Sequence, residues 1–172
     1  METGKSESIH WERIQILLLD SDGVLTDGGV YLPEEGGVEM RRFNIKDGLG
    51  ITRLLGEDFP VAVISRSPST PVRNRCERLG IGHIFLGAKD KVACAEELLQ
   101  TLEIPWENAA FMGDDLPDLP LLAKVGLAMA PRDAAAEVVD RVDWVSGFDG
   151  GQGAVREACD QIYRGRFGGG RG

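Results

Sequence analysis

Histidine, cysteine and long apolar runs are all scarce in this chain of 172 residues, and each scarcity removes a class of function. The two histidines, His10 and His83, stand at no metal-ligand spacing. Three cysteines, Cys76, Cys94 and Cys159, are odd in number, far apart and without a CxxC pair. They read as reduced thiols of a cytoplasmic protein, not as a zinc site or a disulfide framework. No apolar stretch approaches the ~20 residues of a membrane span. Residues 1–12 are polar and carry Glu2, Glu7 and Glu12, so no secretory leader is expected there. Positive charge is in deficit: 19 Lys and Arg against 28 Asp and Glu give a net charge of -9. Nucleic acid and anionic membrane surfaces are therefore poor candidate partners.

What is present is an ordinary core, 42% hydrophobic residues, in a length suited to one domain. Short apolar runs at 14–19, 61–65, 83–86, 109–112, 126–129 and 144–145 predict buried strands. Helical patterns fall between them at 48–55, 71–79, 89–102, 116–124, 134–139 and 153–163. Such alternation predicts a parallel sheet flanked by helices. Residues 30–43, with Pro33, Gly36 and Gly37 in the middle, read as a β-hairpin, in which Arg41 and Arg42 are most simply solvated. The tail from Gly165 to Gly172 is too glycine-rich to predict regular structure.

Strands of a parallel sheet place their C-terminal ends along one edge, where ligands bind. Leu17-Leu18-Leu19 runs into Asp20-Ser21-Asp22-Gly23-Val24-Leu25-Thr26-Asp27-Gly28, two carboxylates one residue apart. The second strand ends in Ser65, Lys91 opens the helix after the third, and the fourth runs into Gly113-Asp114-Asp115-Leu116-Pro117-Asp118. Each element alone has a plain reading as a turn, an N-cap or a solvated side chain. Together and in this order they suit phosphoryl transfer to an aspartate. A carboxylate attacks phosphorus, a hydroxyl and an ammonium neutralise the phosphate oxygens, and a second carboxylate protonates the leaving alkoxide and then activates water. Mg²⁺ suits a site of few carboxylates plus water.

These four elements resemble the motifs of the haloacid dehalogenase (HAD) phosphatase superfamily. Phe43-Asn44-Ile45-Lys46-Asp47-Gly48-Leu49-Gly50-Ile51, Asp90-Lys91, Val125-Gly126-Leu127-Ala128-Met129-Ala130 and Gly150-Gly151-Gln152-Gly153-Ala154-Val155-Arg156-Glu157-Ala158-Cys159 are similar to one branch, the 3-deoxy-D-manno-octulosonate 8-phosphate (KDO 8-phosphate) phosphatases. The resemblance spans residues 14–164. It implies an α/β, Rossmann-like three-layer HAD fold in one domain over 1–172. A polar extension at 1–12 precedes it, a small hairpin at 29–43 stands in place of a cap domain, and a flexible tail covers 165–172.

The resemblance also implies roles. Asp20 is the nucleophile and a Mg²⁺ ligand; Asp22 is the general acid/base and binds the metal through its carbonyl. Ser65 and Lys91 hold the phosphate, and Asp114 completes the protein ligands of the metal. Asp115 and Asp118 orient Lys91 and metal-bound water. Lys46, Asp47, Gly48 and Arg75 belong to the sugar side of the pocket. The implied partners are a sugar-phosphate substrate of lipopolysaccharide biosynthesis and further copies of the chain, in a homotetramer.

One departure concerns Arg66-Ser67, which stands where the branch usually has Gly-Arg after the motif-two hydroxyl. Either Arg66 takes over a substrate carboxylate from the neighbouring position, or the substrate is a related nine-carbon keto-deoxy sugar phosphate. The intervals 27–65 and 65–91 are too short for a cap domain, so cover for the site must come from hairpins of other subunits. The tail arginines Arg166 and Arg171 are candidates for reaching an adjacent subunit's phosphate. Two other classes remain open. A receiver-type phosphoacceptor would carry its aspartate after the third strand, where Gly87-Ala88 stands instead. A catalytically idle HAD-like oligomerisation module would lack part of the set Asp20, Asp22, Ser65, Lys91 and Asp114.

Overall fold

Four consecutive fully buried residues, Ile16–Leu19, form the first strand, β1. A strand buried on both faces needs apolar side chains at every position, because alternate residues point to opposite sides of the sheet. Leu17 and Leu19 enter one core and Ile16 and Leu18 the other. The computed structural model describes residues 9–34 and 36–168. Within them β1 is followed by α1 (Ile45–Leu55), β2 (Val61–Ser65), α2 (Thr70–Leu79), β3 (His83–Leu86), α3 (Lys91–Thr101), β4 (Ala109–Met112), α4 (Leu119–Leu122), β5 (Leu127–Ala130), α5 (Ala136–Val139), β6 (Trp144–Val145) and α6 (Ala154–Phe167).

All five strand pairings are parallel, in the order β3-β2-β1-β4-β5-β6. Helices α1, α2 and α6 cover the Leu17–Leu19 side, and α3, α4 and α5 cover the other. The chain thus forms the three-layer, Rossmann-like sandwich expected. The order of strands reverses between β1 and β4, and the crevice outside their C-terminal ends is where an open sheet of this kind binds ligands.

Four predicted strands match in both bounds, and the departures have local causes. Helix α1 starts three residues early, at Ile45, because Asn44 caps it by accepting the Lys46 N–H at 2.8 Å. The helix expected over 116–124 is a 3₁₀ turn, Leu116–Asp118, followed by the single turn of α4. Pro117 and Pro120 each remove a backbone donor from what would have been one ladder.

The hairpin expected at 29–43 is a looser arm. It folds back through two isolated antiparallel bridges, Thr26 with Phe43 and Tyr31 with Met40, without regular strands. An isolated two-stranded ribbon is marginal in water, and Val30, Leu32, Val38 and Met40 are exposed on this one.

Residues 9–12 and 165–168 are more ordered than their composition suggests. Trp11 sets its edge on Trp144 at 5.5 Å, and His10 bonds Glu12 within the start of the fold, so residues 9–12 are not a loose extension. Helix α6 continues through Gly165 to Phe167, because Phe167 packs edge-on against Phe59 at 6.5 Å. A Cβ at Gly165 would stand 2.6 Å from that of Trp11, so this glycine serves close packing within a helix. Arg166 donates to the carbonyl of Glu12 at 3.2 Å in its own chain. Residues 1–8 and 169–172, Arg171 among them, lie outside the described residues. No helix among the described residues is long and apolar enough to cross a membrane.

Candidate active site

β1 delivers Asp20 to the sheet edge, where its N–H donates to Met112 of β4 at 3.0 Å. The chain then winds around one acceptor: the Ser21 carbonyl receives the N–H groups of Val24, Leu25 and Thr26 at 3.3, 2.9 and 3.0 Å. That tight loop needs Gly23 for two reasons. Its φ is +81°, and a Cβ there would stand 2.0 Å from Oδ2 of Asp114. The motif-one loop therefore lies directly against the Asp114 carboxylate that follows β4.

Lys91 opens α3, one residue after its cap Asp90, and is buried. Its ammonium stands 2.8 Å from Oδ1 of Asp20 and 2.6 Å from Oδ1 of Asp118. The other oxygen of Asp118 accepts the N–H groups of Asp114 and Asp115 at 2.9 and 3.3 Å. Asp118 thus ties the third and fourth motifs together. Asp115 caps the turn at Leu116 and stays exposed. Ser65 ends β2 beside them, accepting a hydrogen bond from the Ser21 hydroxyl at 2.7 Å and one from the Ser67 N–H at 3.2 Å. A cleft of about 290 Å³ is lined by Asp20, Asp22, Ser65, Arg66, Ser67, Lys91, Asp114, Asp115 and Asp118, among others.

Carboxylates of Asp20, Asp114 and Asp118 converge with oxygens within 4.8 Å of one another, around one ammonium. Burial and the neighbouring Asp118 push the Asp20 carboxyl up to about 6 despite the ion pair with Lys91. Burial and the Asp20 charge push Asp114 up to about 8. Burial disfavours the Lys91 charge, but the facing carboxylates of Asp20 and Asp118 outweigh it and raise its pKa. The cluster is therefore short of positive charge, with oxygen-only donors, which fits a hard divalent cation such as Mg²⁺. Both oxygens of Asp118 are engaged, by Lys91 and by two backbone donors, whereas Asp20 gives Lys91 only Oδ1, so Asp20 and Asp114 are the carboxylates that could hold it.

The residues assigned to the sugar side are placed elsewhere. Lys46, Asp47, Gly48 and Arg75 do not line the Asp20 cleft in the single chain. Because α1 begins at Ile45, its buried stripe turns Asp47 and Gly48 inward. Asp47 accepts the Arg156 N–H of α6 at 2.8 Å. Gly48 makes room for Arg75, whose Nη2 would stand 2.4 Å from a Cβ there. Arg75 itself leans on Phe43, 6.0 Å from the ring, at the edge of a separate hollow. Lys46 is exposed.

Two features escaped the sequence. Arg41, expected in solvent, has a buried side chain paired with Asp22 at 3.1 Å. Gly150 packs on the motif-one loop so closely that a Cβ would stand 1.7 Å from the Gly23 carbonyl. The pair Gly150-Gly151 was the signal for the second; for the first, Arg41 shares its side of the extended arm with Glu39 and Phe43.

A family model described as haloacid dehalogenase-like hydrolase matches residues 77–157. The 3-deoxy-D-manno-octulosonate 8-phosphate phosphatase of Escherichia coli strain K12 is 44% identical over 151 residues, 88% of this chain and 80% of its own length. The chain belongs to the KDO 8-phosphate phosphatase family of HAD-like hydrolases. The solved structure of the Yersinia pestis phosphatase superposes with a TM-score of 0.88 at 39% identity, over 91% of this chain and 84% of that one. The Moraxella catarrhalis phosphatase, solved with magnesium ion, phosphate ion and KDO, superposes with a TM-score of 0.87 at 32% identity, over 91% and 90%.

The charge deficit predicts how this phosphatase responds to pH and metal. A carboxyl whose folded pKa is raised stabilises the fold below its unfolded value, near 4, and that stability is lost as pH rises through about 6 for Asp20 and about 8 for Asp114. Metal-free protein should therefore melt at lower temperature at pH 8 than at pH 5. Mg²⁺ at ~100 times its Kd should raise the melting temperature by about 5–10 °C at pH 8 and by less at pH 5. Calorimetry showing no metal response at pH 8 would rule out cation binding by this cluster.

Proposed function

We propose that the chain, as one domain over 1–172, is a Mg²⁺-dependent phosphatase of a phosphorylated keto-deoxy sugar acid, hydrolysing KDO 8-phosphate to KDO and phosphate. The observation that carries this reading is the Lys91 ammonium held between Asp20 and Asp118 beside Ser65, in a chain 44% identical to relatives of that activity. The same set argues against an idle oligomerisation module, which would have no use for a buried cluster short of charge.

In this reading the Asp20 carboxylate attacks phosphorus; an O–P bond forms as the bond to the sugar oxygen breaks, and Asp22 gives that oxygen its proton. Asp22 then takes a proton from water, which attacks phosphorus, releasing inorganic phosphate and regenerating Asp20. Lys91 and Ser65 hold the phosphate oxygens, while Asp118 fixes Lys91 and Asp115 shapes the turn that carries Asp118. Asp20, Asp114 and the Asp22 carbonyl would hold Mg²⁺, which would supply positive charge to offset that of the phosphate and the attacking carboxylate.

The substrate's acid end has an exposed cation available in Arg66. It lines both the cleft and an adjoining hollow of about 480 Å³ that also holds Lys89. A nine-carbon keto-deoxy sugar phosphate is the second reading, favoured by Arg66-Ser67 where relatives of the branch usually have Gly-Arg. Lys46, Arg75 and the separate hollow beside them would serve the sugar only through a neighbouring copy, since they lie outside the single-chain cleft.

That neighbour belongs to the proposal. The arm exposes Leu32 by 75% and Val38 by 72%, and α1 exposes Ile45 by 83%, an apolar surface that further copies would cover. A cytoplasmic homotetramer, with arms packed together over the clefts, gives the closed pocket phosphoryl transfer favours. We assign it to lipopolysaccharide biosynthesis on the substrate.

Three outcomes are expected. With Mg²⁺ the protein should release phosphate from KDO 8-phosphate; chelator should abolish this, and Asp20→Asn should lower kcat at least ~10³-fold while the fold persists. Near-normal turnover in that variant would overturn the assignment. Arg66→Ala should raise KM about tenfold for the acidic sugar phosphate, the scale of one charge-assisted hydrogen bond, and leave an aryl phosphate almost unchanged; equal losses would place Arg66 on the phosphate instead. Light scattering should give about four times the chain mass of 18.7 kDa, and a monomer would remove the shared cover.

A further inference from the structure

The arm reaches the cleft through one side chain. Arg41 lies two residues before Phe43, which bridges back to Thr26 in the motif-one loop. Its side chain is only 6% exposed, on an arm whose other residues are largely in solvent. Nε donates to Oδ1 of Asp22 at 3.1 Å, and Nη2 stands 3.0 Å from Oε1 of Glu39. Nη1 is buried with no acceptor among the described residues.

A fastening role alone accounts poorly for this arrangement. The arm is already attached next to Arg41 by the Thr26–Phe43 bridge and by Arg42 to Asp27 at 3.3 Å. Burying a guanidinium with an orphaned N–H disfavours the fold, whereas an apolar contact would attach the arm without that loss. What the guanidinium does that an apolar side chain cannot is commit one oxygen of Asp22. Oδ1 is taken by Nε, and Oδ2 has no partner among the described residues on a side chain that lines the cleft.

We propose that Arg41 is a positioning residue for proton transfer. By holding Oδ1 it fixes the Asp22 carboxylate so that Oδ2 is presented to the leaving oxygen. The proposal rests on the reading of Asp22 as the proton donor. It gives the arm a part in the chemistry, because the seating of Arg41 sets the orientation of Asp22.

The test compares phenyl phosphate with 4-nitrophenyl phosphate. Neither has a carboxylate for another arginine to grip, and phenol, the weaker acid, depends more on receiving a proton as it leaves. The quantity read is kcat/KM, which reports the steps up to departure of the leaving group. Asp22→Asn should lower kcat/KM far more for phenyl phosphate than for the nitrophenyl ester. Arg41→Ala should do the same in smaller measure, with a loss at least about tenfold larger on phenyl phosphate, within the ~10²–10⁴-fold reach of general acid catalysis. Arg41→Lys, which keeps charge and loses the fork, should fall between wild type and Arg41→Ala. Equal losses on both esters in Arg41→Lys and Arg41→Ala, or no loss, overturn the proposal while Asp22→Asn still discriminates. If Asp22→Asn does not discriminate, its role as proton donor falls, and the proposal with it. Should Arg41→Ala fail to fold by thermal unfolding, Arg41→Lys and Arg41→Gln carry the same comparison.

Discussion

A buried cluster of three carboxylates with a single ammonium among them is the constraint around which the rest of this protein is arranged. Lys91 touches Asp20 and Asp118, and Asp114 joins them in one cluster. Such an imbalance in a buried setting opposes folding, since like charges close together repel and desolvation penalises each. It persists because the surrounding fold over-determines the geometry: Asp20 follows a fully buried strand, Lys91 is the first residue of a capped helix, and Asp118 is locked by two backbone donors. The strain is what makes the site receptive. A cluster lacking positive charge has a standing affinity for a cation, and a phosphate needs that cation before it can approach Asp20.

Convergence at this point depends on backbone approaching backbone and side chain without Cβ atoms between. Gly23 lies against Asp114, Gly113 against Asp118, and Gly150 against the Gly23 carbonyl. The third contact brings the loop before α6 onto the motif-one loop, where the Gly151 N–H donates to the Val24 carbonyl at 2.9 Å. Helix α6 in turn seals Asp47 of α1 through the Arg156 N–H. The motifs spread over 20–118 and the loop at 150–151 therefore form one mechanical unit, although only the first four touch the cleft.

Legibility in the sequence followed how local the cause was. The buried strands could be read because burial on both faces demands uninterrupted apolar runs, and the chemistry at their ends because parallel strands share one edge. Lys91, Ser65 and Asp114 fell where the alternation put them. The pattern of residues alone starts helix α1 three residues late, because its start depends on the Asn44 side chain, and in the single chain Asp47 and Gly48 lie in the buried stripe of that first turn. Gly165 and Gly168 flank Phe167 and by themselves suggest a loose tail; its contact with Phe59 comes from more than a hundred residues away in sequence. Arg41 is a similar case: its neighbours Glu39 and Phe43 mark the side of the arm it occupies, but its partner Asp22 stands nineteen positions earlier.

In the proposed reading chemistry and recognition sit on different parts of the molecule. Attack on phosphorus would draw on strand ends that the sheet holds in place. Recognition of the sugar would draw on Arg66, on an exposed arm and on a hollow beside α2, none of which the sheet fixes. An arm of two isolated bridges has little stability of its own. Among the described residues of the arm, Arg41 reaches Asp22 through a buried side chain. A fold built this way can change its substrate by altering the arm and the turn after Ser65 while leaving Asp20, Lys91 and Asp118 untouched. Arg66 stands in that turn, exposed and outside the cluster, where such a change would act.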